Sequence, residues 1–335
     1  MMISQKIPSR LRRDFTYLRR DISYLFDKSF YENARGSRIV IYHGICIKDH
    51  TRFNPIFLKL RTFERHLQFY KRYFNVVSLD DYYNKRFSKD KFNICLTFDD
   101  GYANNHKYVL SLVDKYQLPA AFFVTAISDS GYDILWNDFI GIVGKYGPER
   151  LVLKNERFYK GRFNKYISEQ SGKGIIEILR AGDFDIKAEA MKLLYPLVPF
   201  RESKPYDIDY WLQMNRQQIK DLSLSPYATI GSHGYYHNDL ASINLDAAAE
   251  EMKLSKQYLE NIIDKPVNSL AFPYGTYTPA VVDAAKNIGY DQLLCMDFHF
   301  EDDHADTTMR ERFTVNPFIN TPSQMHATVT KSYER

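Results

Sequence analysis

The run Asn93-Ile94-Cys95-Leu96-Thr97-Phe98 is rich in β-formers and stops at Asp99-Asp100-Gly101, and runs of this kind recur along the chain with helical patterns between them. Ile39-Val40-Ile41-Tyr42 precedes it, and Phe63, Leu67, Tyr70 and Phe74 mark a helix behind Thr62 as its cap. A helix is expected from about Ala103 to Tyr116, then the strand Ala121-Phe122-Phe123-Val124. Ala228-Thr229-Ile230 leads into Gly231-Ser232-His233, and a helix follows from about Asp246 to Ile263. Ser269-Leu270-Ala271-Phe272 is the next strand, and Thr278-Pro279 opens a helix with a cap residue and a proline in its first turn. Leu293-Leu294-Cys295-Met296 and Arg312-Phe313-Thr314-Val315 close the series. Strands alternating with helices predict a parallel sheet with helices outside. Between about 133 and 214 the rhythm breaks into helical patches, aromatics and prolines, which reads as an insertion.

With 335 residues, 44% hydrophobic and 26% charged, the chain can bury a substantial core. Its net charge of +4 is small and its basic residues are mixed with acidic ones, so no nucleic-acid-binding stripe is expected. Cys46, Cys95 and Cys295 are far apart, two of them in apolar runs, which suits buried thiols rather than a disulfide framework. No signal-peptide core or spanning segment is evident. A location in the cytoplasm or at its membrane surface is therefore the expectation, with export left open. Residues 1–36 read as an amphipathic extension, with Leu11, Phe15, Leu18, Ile22, Leu25 and Phe26 on one face and Arg12, Arg13, Arg19 and Arg20 around it. The ordinary expectation packs that apolar face on the domain, and the sharper alternative is peripheral membrane contact through residues 11–26. Residues 37–320 form the main domain and 321–335 a tail.

Two adjacent carboxylates after a buried strand sit where α/β folds place active sites, at the carboxyl ends of parallel strands. Neighbouring residues there point in different directions, so one carboxylate can bind a metal while the other faces the metal's water. Helix capping near Ala103 is the plain alternative for Asp99 and Asp100. In Gly231-Ser232-His233-Gly234-Tyr235-Tyr236-His237, two histidines four apart again follow a strand. That spacing predicts two imidazoles on one face of a helical turn. One carboxylate and two imidazoles leave a fourth position for water, the arrangement of a catalytic zinc site.

Thr97-Phe98-Asp99-Asp100-Gly101, then Ser232-His233-Gly234-Tyr235-Tyr236-His237, then Phe272-Pro273-Tyr274-Gly275, resemble in that order the polysaccharide deacetylases, carbohydrate esterase family four, with its NodB-like homology domain. The resemblance spans roughly 39–318 and implies a distorted (β/α) barrel of about seven strands. It also implies Asp99 as general base and Asp100, His233 and His237 as ligands of Zn2+, or of another divalent metal such as Co2+ or Ni2+. The oxyanion would be held by the metal and the Tyr274 backbone N–H, with Pro273 and the Tyr274 side chain shaping the sugar pocket. Where many members carry an arginine that pairs with the base, this chain has Ala271, and Arg312 at the start of the last strand is the best replacement. The histidine that protonates the leaving amine is not evident. His299 and His304 are its nearest candidates, with an ordinary acidic loop as the alternative. His43, ending the first strand, would line the same mouth, and Trp136 is read as a loop aromatic that could stack on a sugar or be buried. The resulting expectation is removal of N-acetyl groups from amino sugars of a surface or capsular polysaccharide or its precursor. An O-acetyl esterase, another amidase, or a glycan-binding relative without turnover are the alternatives, and the oligomeric state is open.

Overall fold

The computed structural model describes residues 9–53 and 55–333, with side chains from Arg13 onward, so the side chains of Leu11 and Arg12 fall outside the described residues. Eight strands form the wall: β1 (Ser37–Tyr42), β2 (Asn93–Phe98), β3 (Ala120–Val124), β4 (Ala228–Ser232), β5 (Ser269–Ala271), β6 (Gln292–Cys295), β7 (Met309–Glu311) and β8 (Phe313–Thr314). Their order is β7-β6-β5-β4-β3-β2-β1-β8, and every pairing is parallel. The short strand Asn75–Val76 adds to β2 off this path. Because β7 and β8 lie at opposite ends of the order and only Arg312 separates them, the sheet is a nearly closed barrel. The single last strand expected over 312–315 is thus two, and Arg312 lies at the seam rather than inside either.

Alternation along each strand divides two cores. Ile39, Cys95, Ala121, Phe123, Ala271 and Leu294 cluster in the barrel interior, with Val77 and Leu79 beside them. Their neighbours Val40, Leu96, Phe122, Leu270 and Leu293 belong to the larger core shared with the surrounding helices. Burying one phenylalanine, such as Phe122 outside the wall or Phe123 inside it, contributes roughly 1.5–3 kcal/mol, so both layers stabilise the wall. At the end where the strands start, the helix Leu79–Tyr83 closes the barrel: the Tyr83 hydroxyl donates to carbonyls of Leu293 and Thr308, each at 3.1 Å.

The helix behind β1 runs Leu60–Tyr73 with its cap at Lys59, so Thr62 lies inside it rather than capping it. The helical run from Ala103 contains a π segment, Asn105–Val109, before the α-helix Leu110–Tyr116. Helices Leu245–Ile263 and Pro279–Ile288 follow β4 and β5, and the Thr278 side chain caps the second by accepting from Val281. Between β3 and β4 the chain leaves the wall and builds a second core from Trp136, Phe139, Phe158, Phe200 and Trp211 among others. This excursion holds helices Trp136–Tyr146, Ile175–Arg180 and Phe184–Leu194. It also holds an antiparallel sheet of Arg150–Leu153, Glu156–Lys160 and Tyr166–Ser168, which helical patches alone did not anticipate. Those strands are short and half-exposed, so they carry little apolar signal.

The helix Ser9–Phe26 packs against Thr321–Thr330, the helix that occupies most of the expected tail. It does so with its polar side. Phe15, Leu18, Ile22, Leu25 and Phe26 are exposed, which corrects the expectation that the apolar face covers the domain. Among the described residues, no helix is long and apolar enough to cross a membrane.

Candidate metal centre and active site

The inward rows of the wall lead directly to polar groups at its rim. Asp99 stands two residues beyond the inward Thr97, His43 two beyond Ile41, and His233 two beyond Gly231, so each side chain continues the inward side of its strand. Gly231 makes room: a Cβ there would lie 2.5 Å from both the Phe123 ring and the Ser269 hydroxyl. Neither aspartate caps the helical run at Ala103, because both carboxylates are engaged inside the rim.

Asp99 is buried and forms a two-pronged ion pair with Arg312, Nη1 to Oδ1 at 2.7 Å and Nη2 to Oδ2 at 2.8 Å. Arg312, 3% exposed, also bonds the Thr97 hydroxyl and the Cys295 carbonyl, at 3.3 and 3.4 Å. From the seam the guanidinium enters the barrel interior, 5.5 Å over the Phe123 ring, while its backbone N–H bonds the Met296 carbonyl at 3.1 Å. Burial alone would raise the Asp99 carboxyl, but Arg312 and then His233 outweigh it and hold it below the usual carboxylate range.

Asp100 turns the other way. Its backbone has φ +76°, a left-handed conformation rare for a residue with a Cβ, and its Oδ1 lies 3.3 Å from His233 Nε2 and 3.2 Å from His237 Nε2. His237 and Tyr274 share this left-handed backbone, with φ +58° and +62°, so each of the three motifs contains one such residue. The segment from His233 to His237 is a turn opened by Gly234 at φ +76°, not the helical turn that the spacing suggested. Burial raises the Asp100 carboxyl less than its bonds to His233 and His237 lower it, leaving it well below the usual range.

Asp100, His233 and His237 offer donor atoms within 4.8 Å of one another, all buried. This set suits a divalent ion of the zinc type, and the His233 ring is already oriented for one. Its Nδ1 lies 2.8 Å from the Ala271 carbonyl, which fixes the proton there and leaves Nε2 free as a ligand atom. His43 faces the same group: burial lowers its pKa against the opposing pull of Asp100 and Asp99.

Several supports were not singled out in the sequence. The Tyr102 hydroxyl donates to Asp138 at 2.7 Å, and burial together with the Asp138 and Asp100 carboxylates holds its pKa well above the ordinary value. Its place directly after Asp-Asp-Gly, and that of Asp138 beside Trp136, were the available signals. Glu251 accepts the N–H groups of Tyr236 (3.0 Å) and Asn238 (3.2 Å), bracketing His237, and the Asn238 amide as well. From the excursion, the fully buried Lys187 bonds the Asn238 side chain, while Arg180 pairs with Asp239 at 2.7 Å and covers the Tyr274 ring at 4.1 Å. Nothing in their local sequence marked Lys187 or Arg180.

Trp136 is not a loop aromatic open to sugar. It starts the helix Trp136–Tyr146, has no exposed surface, and donates its indole N–H to the His237 carbonyl at 3.2 Å. Pro273 is buried near Gly234, and the Tyr274 ring packs 4.8 Å from that of His237. His299 lies against the Tyr277 ring, and its backbone N–H donates to the Tyr277 hydroxyl and to Asp303. His304 lines a groove with Ser37 and Tyr82, at the end where the strands start, and so is removed from the rim.

No curated protein sequence matches the chain. Solved structures with the same fold include the deacetylase PplD of Streptococcus pyogenes, at TM-score 0.55 and 16% identity over 87% of this chain and 97% of that one. IcaB of Ammonifex degensii matches at 0.52 and 15% over 89% and 98%, and the Bacillus cereus polysaccharide deacetylase BC0361 at 0.52 and 17% over 88% and 68%. The polysaccharide deacetylase family model matches residues 87–139 and 206–293, which take in the strand ends carrying Asp99, Asp100, His233, His237 and Tyr274 and leave out most of the excursion. By that match, on this barrel, the chain belongs to the polysaccharide deacetylase family.

Proposed function

We propose that the protein is a metal-dependent hydrolase that removes N-acetyl groups from amino sugars of a surface or capsular polysaccharide or its precursor. One observation carries this reading: the adjacent carboxylates have separate partners, Arg312 for Asp99 and the two histidines for Asp100. Asp100, His233 and His237 would hold the ion, taken as zinc, with cobalt or nickel as alternatives. When bound, it polarises an acetyl carbonyl and acidifies water.

Asp99, kept ionised by Arg312, accepts the proton of the attacking water. The Tyr274 backbone N–H faces the developing oxyanion, and its ring with Pro273 shapes the sugar pocket. His43, in place of His299 and His304, is the imidazole that hydrogen-bonds the leaving nitrogen from its neutral ring, and the proton which that nitrogen takes up as the C–N bond breaks is the one Asp99 accepted from the water. The stretch 133–214 is an insertion that braces the ligand turn. Acetate release from N-acetylglucosamine oligomers, measured after chelation and after zinc is restored, tests the proposal. Zinc-dependent release is expected; no release with zinc, cobalt or nickel bound would refute it.

A further inference from the structure

The helix Ser9–Phe26 spends its hydrogen bonds on the barrel side. The Tyr17 hydroxyl donates to the Tyr333 carbonyl at 3.1 Å, and Asp21 accepts from the Ser323 hydroxyl at 2.8 Å and the Asn320 amide at 2.7 Å. Tyr24 packs edge-on to Tyr31 and Tyr73. The other side carries Phe15, Leu18, Ile22, Leu25 and Phe26, which are 68%, 56%, 48%, 67% and 84% exposed. Their spacing of three and four places them in one stripe. A continuous apolar stripe of this kind marks a surface that meets something.

Charge identifies the occupant. Residues 1–30 contain seven basic and three acidic residues, a net +4, and the remaining chain has thirty-eight of each. The whole excess positive charge of the protein is therefore in this segment. Arg13 and Arg19 are exposed beside the stripe. Next to Leu25 a groove of about 570 Å³ is lined by Arg65 and Arg72 of the neighbouring helix Leu60–Tyr73. Pairing two copies through this stripe would bring like charges together, whereas an anionic lipid surface takes up apolar side chains and arginines at once.

We propose that the helix Ser9–Phe26 docks the protein on an anionic bilayer, with Phe15, Leu18, Ile22, Leu25 and Phe26 in the headgroup–acyl boundary and the arginines among the phosphates. This inference is independent of the catalytic reading. Flotation of the full chain tests it, using vesicles of phosphatidylcholine alone and of phosphatidylcholine with phosphatidylglycerol. Binding to the anionic vesicles is expected, weakening as salt is raised, with Leu18→Asp plus Ile22→Asp lowering the partition roughly tenfold or more. Arg13→Glu plus Arg19→Glu should weaken it too. Both pairs alter exposed positions, so an unchanged melting temperature and circular dichroism spectrum certify their fold. Absent binding, equal binding to neutral vesicles, or full binding by the Leu18/Ile22 pair would overturn the proposal. So would a dimer in solution that the same pair dissolves, which would assign the stripe to a second copy.

Discussion

The barrel rim and the excursion between β3 and β4 both reach the candidate metal centre, but by different means. The rim supplies the carboxylates and imidazoles themselves: Asp99, His43 and His233 two residues beyond an inward strand position, Asp100 next to Asp99, and His237 at the end of the turn that follows His233. The excursion supplies groups that hold those side chains in place: Trp136 on the His237 carbonyl, Lys187 on Asn238 and Arg180 on Asp239. Chemistry thus follows from the strand period, while rigidity comes from a part of the chain with its own core.

Substitutions should separate these contributions. Asp100→Ala should abolish zinc binding and turnover together. Asp99→Asn should keep the metal and lose about 10²–10⁴-fold in kcat, the usual worth of a positioned base. Arg312→Gln removes one half of a buried ion pair, at about 3–5 kcal/mol of stability read from denaturant midpoints. It also changes the pH profile. The ionised form of Asp99 is the active one, and Arg312 helps keep its pKa below the ordinary value, so losing the guanidinium raises that pKa and moves the acid limb of kcat/KM to higher pH. Lys187→Met, in the excursion, should weaken zinc about 10–100-fold with kcat at saturating metal nearly unchanged. Trp136→Phe loses one neutral hydrogen bond and leaves a small cavity where the larger indole was, costing about 1–3 kcal/mol of stability with the smallest drop in zinc affinity of the set. If Lys187→Met or Trp136→Phe lowered kcat as far as Asp99→Asn does, the contrast between rim and excursion would fail.

The same contrast explains what the sequence made legible. β1 to β6 stand out because apolar β-formers run to abrupt polar ends, and Asp99, Asp100, His233 and His237 are found at those ends. Arg312 could be sought because Ala271 leaves a buried carboxylate without a partner. Local pattern could not say that the His233–His237 turn rests on left-handed backbone rather than a helix, because the needed φ comes from Gly234 and from bonds to Glu251 far along the chain. Nor could it place Lys187 or the buried Trp136, whose partners lie in another part of the fold. For the N-terminal helix, amphipathicity was plain and its direction was not. The stripe faces outward because Tyr17, Asp21 and Tyr24 find partners on the barrel side.

The division of labour between Asp99 and Asp100 is the claim on which the rest depends, and zinc titration of Asp99→Asn beside Asp100→Ala tests it most directly. The account predicts stoichiometric zinc in the first and none in the second; zinc held equally by both, or lost only from Asp99→Asn, would contradict it.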